Sequence, residues 1–175
     1  MKFLKGIGFV ITKFNHIVAK AASYLIFPII GIIIFEVFCR YVLNSPTPYT
    51  YDLIWMMYGA LIFLGGAYAL DQDVHVKADI LYNMMKWWGK TLINAICYPL
   101  FFFSSVIAFV YASYGLMVNA WIYKEISRFT LWGPPTAPIK TVMFIAFAML
   151  LLQGIVKFIQ LMKPPAKVVK GGDAS

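Results

Sequence analysis

Four long apolar runs, at about residues 22–43, 51–70, 91–118 and 139–162, constrain this chain more than any other feature. Crossing about 30 Å of hydrocarbon takes roughly 20 mostly apolar residues in a helix, and each run has that length. Lipid offers the backbone no hydrogen-bond partner, so a run of this kind satisfies its own N–H and C=O groups by forming a helix. The predicted fold is an all-α membrane protein with four transmembrane helices in a single domain over residues 1–175. Charge content agrees: 13% of residues are charged, against about 25% in a soluble domain.

The first twenty residues are too charged to span. Lys2, Lys5, Lys13, His16 and Lys20 fall on one side at helical spacing, with Leu4, Ile7, Val10, Phe14 and Ile17 opposite. That pattern predicts an amphipathic interfacial helix over 2–20, lying at the membrane surface against lipid. The alternative is a cleaved signal peptide ending near Ala19-Lys20-Ala21, but Lys13 and His16 interrupt the apolar core such a peptide needs. A second interfacial helix is expected between spans two and three, over Ala78 to Lys90, and a polar tail over 163–175.

Basic residues set the orientation. Lys2, Lys5, Lys13 and Lys20, then Lys77, Lys86 and Lys90, then Lys157, Lys163, Lys167 and Lys170 fall on one side. The other side has only Lys124, Arg128 and Lys140. The positive-inside bias therefore places both termini in the cytoplasm. The net charge of +8 serves topology and anionic lipid rather than nucleic acid, since no aromatic-and-basic surface on a soluble domain accompanies it. Trp55, Trp87, Trp88, Trp121 and Trp132 fall at span ends, where indole rings favour the headgroup boundary. The Pro-rich loop from Asn119 to Pro138 is expected to be extended, on the outer side.

Small residues point to packing. Ser104, Ala108, Ala112, Gly115 and Asn119 form a stripe along span three, and Gly59 and Gly66 share a face of span two. Such stripes let helix backbones approach closely. The expected use is packing within this chain's own bundle, with docking on another subunit as the alternative. Pro28 and Pro99 are expected to kink spans one and three. Cys39 and Cys97 have no partner at a redox or metal-ligand spacing and read as small buried residues.

Glu36 and Arg40 break the first run. A charged side chain near the centre of such a helix costs about 2.5–3.5 kcal/mol on insertion scales. Positions 36 and 40 lie on one face of a helix, so the two charges can meet. Asp52 opens span two, where the helix dipole favours an anion. The turn between the spans is short, so Asp52 is expected to share Arg40 in a structural polar cluster of Glu36, Arg40 and Asp52. At the far end of span two, His75, Lys77 and Asp79 alternate and are expected to form a turn-fixing polar network on the cytoplasmic side. Metal binding there would need more ligands.

Enzymatic chemistry finds little support. Haem ligation needs histidines within the spans, whereas His16 and His75 lie in interfacial segments. No nucleophile–base set, zinc-protease motif, P-loop or dinucleotide fingerprint is present, and no catalytic, cofactor or metal site is expected. A small proton-coupled exporter using Glu36 is the rival reading. Arg40, one turn away, pairs that carboxylate and so ill suits it to proton exchange.

Glu36-Val-Phe-Cys-Arg40-Tyr41, Asn44-Ser-Pro46-Thr-Pro48-Tyr-Thr-Tyr-Asp52, Phe63-Leu-Gly65-Gly-Ala-Tyr68-Ala-Leu70 and His75-Val-Lys77-Ala-Asp79 together resemble the small membrane subunit, DctQ-like, of tripartite ATP-independent periplasmic (TRAP) transporters. The chain departs from the family pattern at Tyr49, where tryptophan is frequent, at Asp52, usually glutamate, and at Lys77-Ala78, where Arg-Val is common. The resemblance implies an inner-membrane accessory subunit of a sodium-driven organic-acid importer. Its implied partners are a large membrane subunit, which binds substrate and sodium, and a periplasmic substrate-binding protein. This chain would pack against the static scaffold of the large subunit.

Overall fold

The computed structural model describes residues 2–72, 96 and 98–161. These form five α-helices: α1 (Lys2–Ser23), α2 (Ile26–Tyr41), α3 (Thr50–Asp71), α4 (Ser104–Ile122) and α5 (Ala137–Leu161). A π-helical stretch, Tyr98–Phe103, leads into α4. Among the described residues, four stretches are long and apolar enough to cross a membrane: Gly8–Tyr41, Thr50–Asp71, Pro99–Ile122 and Ala137–Leu161. The expected interfacial helix at Ala78 to Lys90, the His75–Lys77–Asp79 network, Cys97 and the polar tail lie outside the described residues.

Helix α1 runs almost directly into α2, and the break between them has a local cause. An uninterrupted helix would need residue 28 to donate its N–H to the Tyr24 carbonyl, and Pro28 has none. Tyr24 and Leu25 turn instead, bonding to the carbonyls of Ala21 and Ala22. Pro28 then falls in the first turn of α2, where a missing donor is tolerated. At the other end, Asn44 adopts a left-handed φ of 49°. The chain there closes back with Ser45 N–H donating to Cys39 O at 3.0 Å, so α2 ends with the local geometry that left-handed caps provide. Pro99 coincides with the π-helical stretch, one of the usual sources of a bend.

The bundle is organised around α3 and α5, which share the most extensive seam; α4 packs on α5, α1 on α3 and α5, and α2 on α3. Phe63 and Phe109 meet Phe147 of α5 from either side. Ala67, Leu70, Ala146, Met149 and Val156 are buried along this seam. The bundle has two ends: the loop end carries residues 42–49 and 123–136, and the terminal end carries the start of α1 and the end of α5.

The faces of α1 depart from a two-sided amphipathic helix. Phe9, Val10, Phe14 and Ile17 are exposed, as are Lys13 and Lys20. A third face, running through Gly8, Asn15 and Ala22, is the one pressed to the bundle. Spacings of seven place these residues two turns apart on one side.

Candidate functional site

Three polar networks hold the ends of the bundle, two at the loop end and one at the terminal end. At the loop end, Glu36 accepts from Arg40 Nη2 at 2.7 Å and Nε at 3.2 Å. Its other oxygen accepts from the Thr47 backbone N–H at 3.2 Å and from the Thr47 hydroxyl, which also meets the Thr50 hydroxyl. Glu36 is thereby tied to its own helix, to the α2–α3 turn and, through Thr50, to the first turn of α3. Arg40 itself is largely exposed.

Asp52 belongs to a different network. It is fully buried and accepts from Ser127 Oγ at 2.5 Å and from the Thr130 hydroxyl. Both donors lie in the loop between α4 and α5. No hydrogen bond or ion pair joins Asp52 to Arg40 among the described residues, so the expected three-residue cluster is two separate ties. The reason is access. Asp52 in the first turn of α3 turns into the bundle, whereas Arg40 leans outward beside Glu36.

The loop itself is compact rather than extended. Ser127 N–H donates to Pro134 O at 2.8 Å and Thr136 N–H to Glu125 O at 2.9 Å, so the segment doubles back on itself. Gly133 takes the left-handed φ of 55° this return needs; a Cβ there would meet Ile126 and the Ser127 carbonyl only at ordinary contact distance, so it is the backbone conformation that favours glycine. Lys140 of α5 pairs with Glu125. Phe129 packs on Tyr51 and Trp55, and Trp132 on Tyr49. Prolines alone argue for an extended loop, but a buried carboxylate requires donors, and the loop folds in to supply them.

The third network was not expected from the sequence. At the terminal end, Asn15 Nδ2 donates to Gln153 Oε1 at 2.8 Å, and Gln153 Nε2 donates to Asp71 Oδ1 at 2.9 Å and to Thr12 Oγ1 at 3.2 Å. His16 Nε2 meets Asp71 Oδ2 at 2.8 Å while its ring stands edge-on to Tyr68. Lys157 Nζ donates to the Asp71 carbonyl at 3.0 Å. Asn15 and Gln153 are both essentially buried. One amide at residue 153 thus links α1, α3 and α5. The sequence signal was present: Gln153 and Lys157, spaced i, i+4, follow the unbroken apolar run Val142 to Leu152.

With these sites in view, comparison with known families decides the identity. A family model described as "Tripartite ATP-independent periplasmic transporters, DctQ component" matches residues 29–163. The chain belongs to the DctQ family. It is therefore a component of a transporter and not an enzyme, and its four apolar helices make it a multi-pass membrane protein. A search of curated proteins gave no match.

Within this DctQ chain both loop-end networks fall inside the matched stretch, whereas Thr12, Asn15 and His16 of α1 fall outside it. The small residues behave unequally. Gly59 packs on Ile139 of α5, while a Cβ on Gly66 or Gly115 would meet nothing within 4 Å. Ser104, Ala108 and Ala112 are exposed. Among the described residues, then, nothing covers the Ser104, Ala108 and Ala112 part of the stripe, contrary to the packing expected within this chain's own bundle. The residues that α4 buries are Val106, Ser113 and Ala120, on another side of the helix. The glycine that does permit close approach is Gly154, seated directly against the Phe102 ring.

Proposed function

We propose that this chain is the accessory small subunit of a sodium-driven organic-acid importer. It would anchor the scaffold of the large membrane subunit in a bacterial inner membrane, with both termini cytoplasmic and the loop end outermost. Substrate and sodium would bind the large subunit, and a periplasmic binding protein would deliver the substrate. The observation that carries this reading is the outward-facing stripe of Ser104, Ala108 and Ala112. In lipid, helices associate through small residues that admit close backbone contact, and this stripe is left uncovered by the described residues. Family membership supplies a membrane subunit to fit it. The basic residues near the ends of α1 and α5 favour the proposed orientation.

Glu36 and Asp52 support a bracing role. Each is engaged by donors from neighbouring segments, which suits fixed joints better than a titrating transport site. The interfacial face of α1, with Phe9, Val10, Phe14 and Ile17 exposed, would resist tilting of the scaffold. The test is sodium-driven uptake by the large subunit and binding protein, measured with and without this chain. Loss of uptake without it is expected; equal uptake would refute the accessory role. A self-sufficient exporter instead predicts proton-coupled flux from the purified chain in liposomes, abolished by Glu36→Gln.

A further inference from the structure

The few basic residues at the loop end stand against the charge asymmetry of the chain, and Lys124, Arg128 and Lys140 all line one open cavity of about 720 Å³. Sites for small molecules typically occupy roughly 300–1,000 Å³. Lys140 is neutralised by Glu125. Lys124 and Arg128 have no hydrogen bond or ion pair among the described residues and are exposed. The cavity therefore presents two uncompensated positive charges.

Besides Ile126, Ser127 and Thr136, the rest of its lining is an aromatic wall. Trp55, Tyr123 and Phe129 line it, with Phe129 packed on Trp55. Trp55 lies three residues beyond Asp52, roughly 4.5 Å further along α3 toward the apolar middle of the helix. The cavity thus grades from a cationic rim on the loop to an aromatic wall that descends along a spanning helix. A water-soluble anion would use the rim and leave the wall bare. A molecule with an anionic head and apolar chains uses both.

We infer that this cavity is a binding site for one anionic phospholipid, its phosphate held by Lys124 and Arg128 and its chains running down beside Trp55 and Phe129. The loop is preorganised for this by the Asp52–Ser127–Thr130 tie, which fixes Phe129 and Arg128 on one rigid turn. The site goes beyond the accessory role and does not depend on it.

The test uses the full-length protein in detergent, with the photoreactive residue p-benzoylphenylalanine in place of Tyr123. That side chain lines the cavity and is exposed. Phosphatidylglycerol, phosphatidylcholine of identical chains, and glycerol 3-phosphate are the probes. Expected is preferential cross-linking of phosphatidylglycerol, weakened about fivefold for each charge removed in K124Q and R128Q, and restored by R128K. Exchange of basic residues at the other end, K13Q/K20Q, should leave labelling unchanged. Equal labelling by the two lipids, or undiminished labelling in K124Q/R128Q, would overturn the assignment. So would competition by glycerol 3-phosphate at the concentration at which the lipid saturates, since that marks a soluble-anion site. Lys124 and Arg128 are exposed and unpaired, so a thermal melt of K124Q/R128Q should match the parent; a melt lowered by several degrees would also overturn the assignment, because it gives the two residues a structural role.

Discussion

Two carboxylates in neighbouring segments do different jobs because their neighbours differ. Asp52 is fully buried with both oxygens engaged, so Asp52→Ala leaves the Ser127 and Thr130 hydroxyls without their acceptor. Destabilisation of about 2–3 kcal/mol is expected, together with protease cleavage within residues 123–136, read by thermal unfolding and limited proteolysis. Asp52→Asn keeps an acceptor for one hydroxyl and should fall between the two. Glu36 has several donors, so Arg40→Ala leaves its Thr47 contacts in place while removing the one cation paired with it among the described residues. The melting temperature should drop, and Arg40→Ala combined with Thr47→Val should drop further than Arg40→Ala alone. An unchanged melt in the double variant would show that the pair is not a brace. The position of both acids near span ends was legible from spacing and helix-dipole reasoning. Their partners were not, because Ser127 and Thr130 lie more than seventy residues from Asp52 in the chain.

At the scale of elements, α1 is held to the bundle by polar contacts while much of its apolar surface points away. The latch is Gln153. Gln153→Leu removes the acceptor of Asn15 and the donor to Asp71, leaving buried polar groups unpaired at about 1–3 kcal/mol. Hydrogen exchange along α1 should rise well above that of α3, which retains its seam with α5; equal protection in α1 would argue against the latch. Close packing of the π-helical stretch on α5 gives a second prediction. Gly154→Leu would drive a side chain into the Phe102 ring, and overpacking of this kind typically costs about 1–3 kcal/mol, measurable as a lowered unfolding midpoint. Amphipathic periodicity located α1, yet its spacing does not say which face meets protein. In lipid both apolar and small faces are acceptable exteriors, so the burial rule that orients a helix in water loses its force.

For the molecule as a whole, the same ambiguity is informative on α4. The stripe at Ser104, Ala108 and Ala112 is left on the outside, and Ala108→Trp or Ala112→Trp should leave this chain folded while blocking assembly with the large subunit. Co-purification of the two subunits tests it; undiminished recovery of the complex would remove this face from consideration. Tyr114→Trp, which keeps an aromatic ring at an exposed position of the same helix off the stripe, is the control and should assemble normally.

Spanning helices, their number and the family could be read from the sequence alone, because hydrocarbon thickness and the demand for internal backbone bonding are properties of the solvent rather than of the tertiary arrangement. The Glu36–Arg40 pair was legible for a similar reason: residues four apart on a helix meet whatever surrounds them. Only the tertiary structure decided that Asp52 ties down the distant loop instead of sharing Arg40, that Gln153 joins three helices, and that the small-residue face of α4 looks outward. Each of these depends on contacts between segments far apart in the chain, and a lipid solvent leaves the choice of face to packing and to the pairing of buried polar groups.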